Sequence, residues 1–506
     1  MTQNEWLALA PFIIVSTLAI LIVVVDMIRP GRDHLAAVIG AVGVLVAMGA
    51  TIAAGPIGGL GGLPPEGMAL FGGVYVRDGM TAFLDLLFLG IALLTILFAP
   101  DYLIPRKLPV PEFVSVLLFA VAGAMLLGGG RDLLILFLGL ELLVLPGYLL
   151  AGFSKRDGLS TEGAIKYFLL GSFSSAILLF GLVFVFGYTG TTNVAEIGDR
   201  LAAIASGDAP LPVALGMGMA LVLTGAAFKI AAVPFHYWTP DAYQGSPTPV
   251  TGYLSVGPKV AAFALVLRLF MEALGPVRAD WWVLIGVLAA ITMTVGNLAA
   301  LGQDNIKRML AYSSIAHTGY IMVGLAVAGG ATDPEVAASG VQGILFYGFA
   351  YAAMNLGAFA VVAALQHRPG VTSQISSFAG LGRRAPILAV AMTLFLLSLV
   401  GIPPTAGFFG KAVIVIAAVE GGGLLTLLAV VIMLNAAAAA FYYLRVVVVM
   451  YMRDPAENAK PVDVGGWTRL GLIVAGAATI AIGLIPAVTG AALDWTLEAA
   501  KTIAGL

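Results

Sequence analysis

Apolar residues run along this chain in long blocks, neither alternating as in strands nor forming a single stripe per helix. Fourteen blocks lie near 6–28, 35–54, 79–99, 112–128, 131–152, 163–188, 211–234, 248–272, 281–301, 308–327, 338–365, 386–420, 422–450 and 467–492. Each approaches the ~20 apolar residues that carry a helix across a bilayer core. The Gly/Pro-rich stretch 55–76 reads as a loop or small hairpin, and 189–210 as a longer polar connection. The pattern predicts an all-α polytopic membrane protein of fourteen transmembrane helices.

Loop charge fixes the expected orientation. With the N-terminus outside, the inner loops hold Arg29, Arg32, Arg106, Lys107, Lys155, Arg156, Lys307, Arg308, Arg368, Arg383, Arg384, Arg453, Lys460 and Arg469. The outer connections hold only Arg77, Arg131, Arg200, Arg278 and Lys501. Positive residues favour the cytoplasmic side, and one miscounted helix would scramble this bias. Both termini are therefore expected on the periplasmic side of a bacterial inner membrane. The start, MTQNEW, lacks the basic n-region of a signal peptide, so the first block is expected to stay as a helix.

Composition narrows the chemistry. The 506 residues are 60% hydrophobic and 10% charged, with net charge −2, which gives nucleic acid no basic surface to bind. There is no cysteine, so disulfides, thiolate zinc and ordinary iron–sulfur clusters are excluded. The histidines, His34, His236, His317 and His367, are too scattered to suggest haem or a metal site. No cofactor is expected in this chain.

Six basic residues remain at membrane depth: Lys166, Lys229, Lys259, Arg268, Lys411 and Arg445. Lys166 follows Glu162 by one turn and Arg268 precedes Glu272 by one turn, so intrahelical pairing accounts for both. Arg445 lies near a helix end and can snorkel. Lys229, Lys259 and Lys411 lie too far inside for that. A buried ammonium costs several kcal/mol unless it meets a cavity or partner, which makes each a candidate functional group. Each also stands near proline: Lys229 before Pro234, Lys259 after Pro258, Lys411 after Pro403 and Pro404. Proline frees a backbone carbonyl and opens the helix where a polar group needs solvating.

The blocks at 211–234 and 386–420 are both proline-broken, five helices apart, and run in opposite directions. An inverted repeat leaves that signature. The expected organisation is a three-helix segment at 1–110, a first five-helix repeat at 111–275, a second at 276–452 and a final helix within 453–506.

Glu141 is the acid lying mid-span in the first repeat, and it is either an inert neutral carboxyl or a partner for Lys229. Burial favours a neutral amine and a nearby carboxylate favours an ammonium, so such a pair can load and release a proton. His317 is either a packed, hydrogen-bonded ring or a stepping stone between lysines. Ser314, Tyr347 and Asn355 could hold water in the same channel, although packing suffices for each. His236 could contact entering protons or simply cap the bend after Pro234, and Asp85 is expected to make only a structural hydrogen bond.

The run FKIAAVPFHYWTPDAYQGSPTPVT leading to SVGPK, then NIKRMLAYSSIAHTGY, then GIPPTAGFFGK, resembles in wording and order the antiporter-like membrane subunits of respiratory complex I. The resemblance covers nearly the whole chain. It implies a subunit of NADH:ubiquinone reductase that pumps protons with energy from quinone reduction elsewhere and binds no redox cofactor itself. It also implies other membrane subunits of that complex as partners, within the lipid bilayer. Carried over, Glu141 and Lys229 match the family's Glu–Lys pair, and Lys259 its second central lysine. Lys411 matches the lysine near the outward exit and His317 a histidine of the hydrophilic axis. Lys411 departs from the glutamate of the middle antiporter-like subunit. A chain ending after its fourteenth span departs from the longest one. Two other readings compete: a subunit of a multi-subunit Na⁺/H⁺ antiporter of the same fold, and a non-conducting scaffold with dry, salt-bridged lysines.

Overall fold

The computed structural model describes residues 2–56, 62–63, 67–206, 211–367, 370, 372–455 and 462–504. The inner-loop residues Arg368 and Lys460 lie outside them. Helices α1 (Gln3–Ile28) and α2 (Asp33–Ala54) lead to a hairpin, β1 (Met68–Leu70) with β2 (Tyr75–Arg77), paired Met68 to Arg77. Then come α3 (Gly79–Phe98), the short α4 (Pro100–Leu103), α5 (Val110–Gly129), α6 (Leu133–Ala151) and α7 (Gly158–Thr189). The polar connection contains α8 (Val194–Ala205). A broken element follows, α9 (Val213–Lys229) and α10 (Trp238–Gly245), then α11 (Thr248–Leu267), which continues as a π-helical turn, Arg268–Ala273. The second half holds α12 (Trp282–Leu301), α13 (Ile306–Gly330), α14 (Pro334–Leu365) and the short α15 (Leu381–Arg384). It continues with the second broken element, α16 (Pro386–Val400) and α17 (Ala406–Glu420), then α18 (Gly423–Met452), α19 (Gly466–Leu484) and α20 (Pro486–Ala504).

Among the described residues, twelve helices are long and apolar enough to cross a membrane. The two remaining expected spans fall on the shorter apolar helices α9 and α16, whose breaks divide them. Aspartate or asparagine caps the starts of α3, α6, α7, α8, α13 and α14, its side-chain oxygen accepting an otherwise unpaired first-turn N–H. The apolar windows of α11, α13 and α14 are 94% buried within the chain, against 33% for α1, α18 and α19. Polar side chains on those three helices therefore face protein, not lipid. They carry Lys259, His317, Tyr347 and Asn355.

Three expectations change. The block 467–492 is not one continuous helix, because α19 stops at Leu484 and α20 begins at Pro486. Proline lacks the N–H to continue the helix and forces the preceding residue out of helical geometry, and Ile485 is indeed extended (φ −104°, ψ 101°). Pro258, by contrast, does not interrupt its segment, since α11 is continuous through it. Lys307 is not a solvated loop residue but is buried to 3% exposure.

Matching backbone bridges tie each half at opposite ends. Leu133 N–H donates to Thr192 O at 2.9 Å and Val194 N–H to Arg131 O at 3.0 Å, pairing Asp132 with Asn193. Ile306 N–H donates to Ser373 O and Ile375 N–H to Asp304 O, both at 2.8 Å, pairing Asn305 with Gln374. In each half the loop entering the second helix is stitched to the loop leaving the third. The first stitch lies on the face bearing the β-hairpin, the second on the opposite face, which bears most of the loop arginines and lysines.

The hairpin face is closed by ion pairs. Buried Arg77 bonds Asp85, giving that carboxylate an ionic partner instead of a simple hydrogen bond. Arg268 bonds Asp78 at 2.9 Å and Glu272 at 2.5 Å, and Arg131 bonds Glu272 at 2.5 Å. Burial pushes the Asp78 carboxyl up, but the Arg268 guanidinium and the Thr81 N–H and hydroxyl outweigh this and hold it below its ordinary 3.8. A depressed folded-state value stabilises the protein above the ordinary carboxyl range, and the stabilisation is lost as pH falls below it. Asp78→Asn is therefore expected to lower thermal stability at neutral pH and to flatten the loss below about pH 4. Thermal unfolding across that range checks it, and an unchanged acid limb would count against the pairing.

Candidate functional site

The first break follows directly from Lys229. Ala231 takes a left-handed conformation (φ 59°), a strained choice for a residue with a Cβ. The freed backbone groups are claimed by other elements. Phe228 O accepts from Trp238 Nε1 at 3.2 Å, Ile230 O from Thr318 Oγ1 at 2.8 Å, and Val233 N–H donates to Thr292 Oγ1 at 3.0 Å. Thr318 and Thr292 sit on α13 and α12, so the second half pins the break of the first.

Lys229 lies in the last turn of α9, where the carbonyl end of the helix dipole favours a cation. Its Nζ donates to Gly171 O at 3.1 Å and Ser175 Oγ at 2.8 Å, both on α7. Glu141 is close enough to act on it electrostatically, but the two are not in ion-pair contact, and Glu141 Oε1 is buried without a hydrogen-bond partner. A carboxyl oxygen so placed is held apart from the amine, not locked to it.

Lys259 follows Pro258, whose missing N–H leaves Leu254 O unpaired within α11. Tyr243 OH fills that place, donating to Leu254 O at 3.1 Å, and α11 runs unbroken through the proline. Lys259 Nζ donates to both Ser314 O and Ser314 Oγ at 2.5 Å. Thr318 Oγ1 reaches Ser314 O (3.1 Å) as well as Ile230 O, linking the first break to the central lysine. Beside Lys259, Ser314, His317 and Tyr351 lies an enclosed space of about 20 Å³ open to a water's centre. One water fits there.

His317 meets two phenols: Nδ1 is 2.6 Å from Tyr347 OH and Nε2 is 3.1 Å from Tyr443 OH. Tyr443 OH in turn contacts Ser313 Oγ. Lys411, one turn into α17, reaches back across the second break and donates to Leu399 O (3.0 Å) and Val400 O (2.6 Å). Those are terminal carbonyls of α16, left without intrahelical donors. Its Nζ also stands 5.0 Å from the Tyr320 ring centroid. Gly401 makes this possible: its φ is +88°, and a Cβ there would lie 3.0 Å from Lys411 Cδ.

A hydroxyl stripe connects Lys259 to the basic face. Thr248, Thr251, Ser255 and Lys259 recur at three- and four-residue steps, one side of α11. Thr251 Oγ1 donates to Tyr243 O at 2.9 Å and to Ser246 O at 3.3 Å, and Lys307 Nζ donates to the same Ser246 carbonyl. Asn355 Nδ2 donates to Ser255 Oγ at 2.6 Å, and Ser314 Oγ lies 3.5 Å from Ser255 O. At the top, Lys307, Ser246, Gln244, Gln366 and Asp157 line a polar cavity of about 400 Å³.

Ser314, Tyr347 and Asn355, singled out in the sequence as packing or water-holding groups, are thus direct partners of Lys259, His317 and Ser255. Ser175, Tyr443, Tyr243 and Thr318 were not singled out in the sequence, since nothing local marks what they bond. The stripe could have been found from its spacing alone. His236 lies in the turn leading to α10, its carbonyl accepting from Thr239 N–H at 3.0 Å. Lys166 bonds Glu162 (2.6 Å) and also Asp241 (2.7 Å), which Arg308 joins at 2.6 Å.

Comparison with known proteins places this arrangement in context. The family profile "NADH:quinone oxidoreductase/Mrp antiporter, TM" matches residues 130–435. The chain is similar to NADH-quinone oxidoreductase subunit N of Chloroflexus aggregans, 43% identical over 493 residues, 97% of this chain and 96% of that one. It is similar to the subunit N of Trichlorobacter lovleyi at 46% identity, covering 66% and 67%. Among solved structures, a chain of respiratory complex I from Thermus thermophilus with bound aureothin matches with TM-score 0.76 and 30% identity, over 94% of this chain and 97% of that one. A chain of the Mrp complex from Dietzia shares the fold, with TM-score 0.81 at 21% identity, over 99% and 98%.

Proposed function

Because the chain belongs to the NADH:quinone oxidoreductase/Mrp antiporter transmembrane family and aligns almost end to end with relatives named subunit N, we propose that it is a proton-translocating membrane subunit of an NADH-quinone oxidoreductase. Quinone reduction elsewhere in the assembly drives it, and the neighbouring membrane subunits of that complex are its partners. The observation that carries the reading is a succession of buried ionisable groups, each held in its own hydrogen-bonded cluster. Lys229 stands beside the first break, Thr318 and Ser314 join that break to Lys259, and His317 follows one turn later between Tyr347 and Tyr443. Lys411 closes the series on the carbonyl end of α16.

Protons enter from the basic face by two approaches: past Glu141 to Lys229, and down the hydroxyl stripe to Lys259. They leave by Lys411 toward the hairpin face. The positive-inside bias makes the basic face cytoplasmic and puts both termini on the periplasmic side. The matching loop stitches on opposite faces support two inverted repeats at 111–275 and 276–452.

Ser314→Ala tests the central link. It deletes one of the two acceptors that hold the Lys259 amine and leaves the backbone intact. A single such hydrogen bond is worth about 1 kcal/mol net, so transport should fall by roughly fivefold in an assembled complex. Vesicle acidification per NADH oxidised measures it, and an unchanged ratio would remove Ser314 from the route.

A further inference from the structure

We infer that Lys307 is a further proton-carrying residue, the amine that takes up protons at the basic face and delivers them to the hydroxyl stripe. This role rests on the proton-transfer reading and adds a residue to it. Lys307 lines the polar cavity of about 400 Å³, whose lip residues Asp157, Thr372 and Gln374 are exposed, so the cavity opens to the aqueous side. The lysine itself is buried. Its Nζ donates to Gln244 O at 3.1 Å and to Ser246 O, carbonyls at the end of α10. Among the described residues no carboxylate comes within ion-pair distance of that amine. The stripe meets the same cavity twice. Thr251 Oγ1 donates to Ser246 O at 3.3 Å, and Thr248 Oγ1 donates to Gln366 Oε1 at 2.5 Å.

Lys411, on the exit side, is held in the same way, a buried amine bonded to two carbonyls where a half-helix ends. Around Lys307 opposing influences balance. The two carbonyls favour the ammonium. Lys307 is also the second residue of α13, where the positive end of the helix dipole disfavours a cation. Arg106 faces it with like charge and Asp157 with opposite charge. An amine so balanced can be loaded and emptied, whereas one locked to a carboxylate keeps its proton. In its neutral form it takes a proton from hydronium in the cavity, leaving water. As an ammonium it gives that proton to the stripe hydroxyls, which pass it to a neutral Lys259 amine. A purely mechanical role is already filled. Arg308 ties α13 to α10 through Asp241 Oδ1 at 2.6 Å and Gln244 Oε1 at 3.1 Å.

The test measures protons moved per NADH oxidised by the assembled complex in sealed vesicles. Lys307→Arg keeps a positive charge that does not release its proton. It is expected to lower the ratio without abolishing it, because the approach past Glu141 to Lys229 stays open. Lys307→Cys should lower it likewise, and it permits chemical rescue, since the chain has no cysteine of its own. Alkylation with 2-bromoethylamine rebuilds a side chain of lysine's length ending in an amine, whereas (2-bromoethyl)trimethylammonium ends it in a fixed positive charge. The first should restore the native ratio and the second should not, with native complex treated alike to account for cysteines of other subunits. A normal ratio in Lys307→Arg, or recovery with both reagents or with neither, would overturn the assignment. Lys259→Leu in the same vesicles separates this role from the route as a whole. If Lys259→Leu also pumps normally, the proton-transfer reading fails; if it alone stops pumping, only the entry residue does.

Discussion

Leucine at position 259 stops proton transport while NADH oxidation by the assembled complex continues. Among the described residues the Lys259 amine bonds Ser314 alone, and it lines a cavity with His317 at the end of the hydroxyl stripe. Without that amine a proton would have to pass as a poorly solvated charge between Ser314 and His317. An ionised group at the centre of a bilayer-spanning segment costs about 3 kcal/mol even on lenient scales, which is roughly a hundred-fold in rate. Folding should survive. Leucine removes a buried amine together with its need for partners, and Ser314 Oγ retains Ser255 O within 3.5 Å. The measurement is the number of protons released per NADH oxidised in sealed vesicles, alongside the amount of intact complex. A normal ratio in the leucine variant would refute the relay through Lys259.

Why some of this could be read from the sequence, and some could not, has a physical origin. The spans were legible because crossing a bilayer requires an uninterrupted apolar length, and that length is local. The breaks were legible at Pro234 and at Pro403–Pro404 for the same reason, since proline acts on its own backbone. The lysines stood out by depth alone. What they bond did not, because Ser175 lies 54 residues from Lys229 and Ser314 lies 55 residues from Lys259. Pro258 looked like a third interruption, yet α11 runs through it, and Tyr243 from another helix bonds the carbonyl that the proline leaves free. Lys307 looked like a loop residue because it begins a helix. Asn305 caps that helix and is stitched to Gln374, which turns the lysine inward onto the Ser246 and Gln244 carbonyls. Glu141 was legible as a candidate partner of Lys229, but not the gap that separates the two in this structure.

Arginine in place of Lys411 also stops transport, and it does so without removing the charge. A guanidinium keeps its proton above about pH 12, so it can occupy the carbonyl end of α16 but cannot pass a proton on. Its larger fork must also fit a pocket where Gly401 already limits the space, since even a Cβ on that residue would come within 3.0 Å of the Lys411 chain. Two companion variants separate charge from fit. Lys411→Met keeps an unbranched chain one atom shorter, loses the charge and leaves the Leu399 and Val400 carbonyls without their donor, so transport falls and local stability drops by about 1–3 kcal/mol. Gly401→Ala keeps the lysine but forces a Cβ into a left-handed conformation, a cost of about 1–2 kcal/mol, and displaces the amine from its carbonyls. Transport in this variant should be slowed rather than abolished, because the exchangeable amine remains. If arginine supported a normal proton-to-electron ratio, position 411 would need only a fixed positive charge to hold α16 and α17 together. If arginine and methionine fail equally while alanine at 401 merely slows transport, the feature that matters is an amine able to give up its proton where α16 ends.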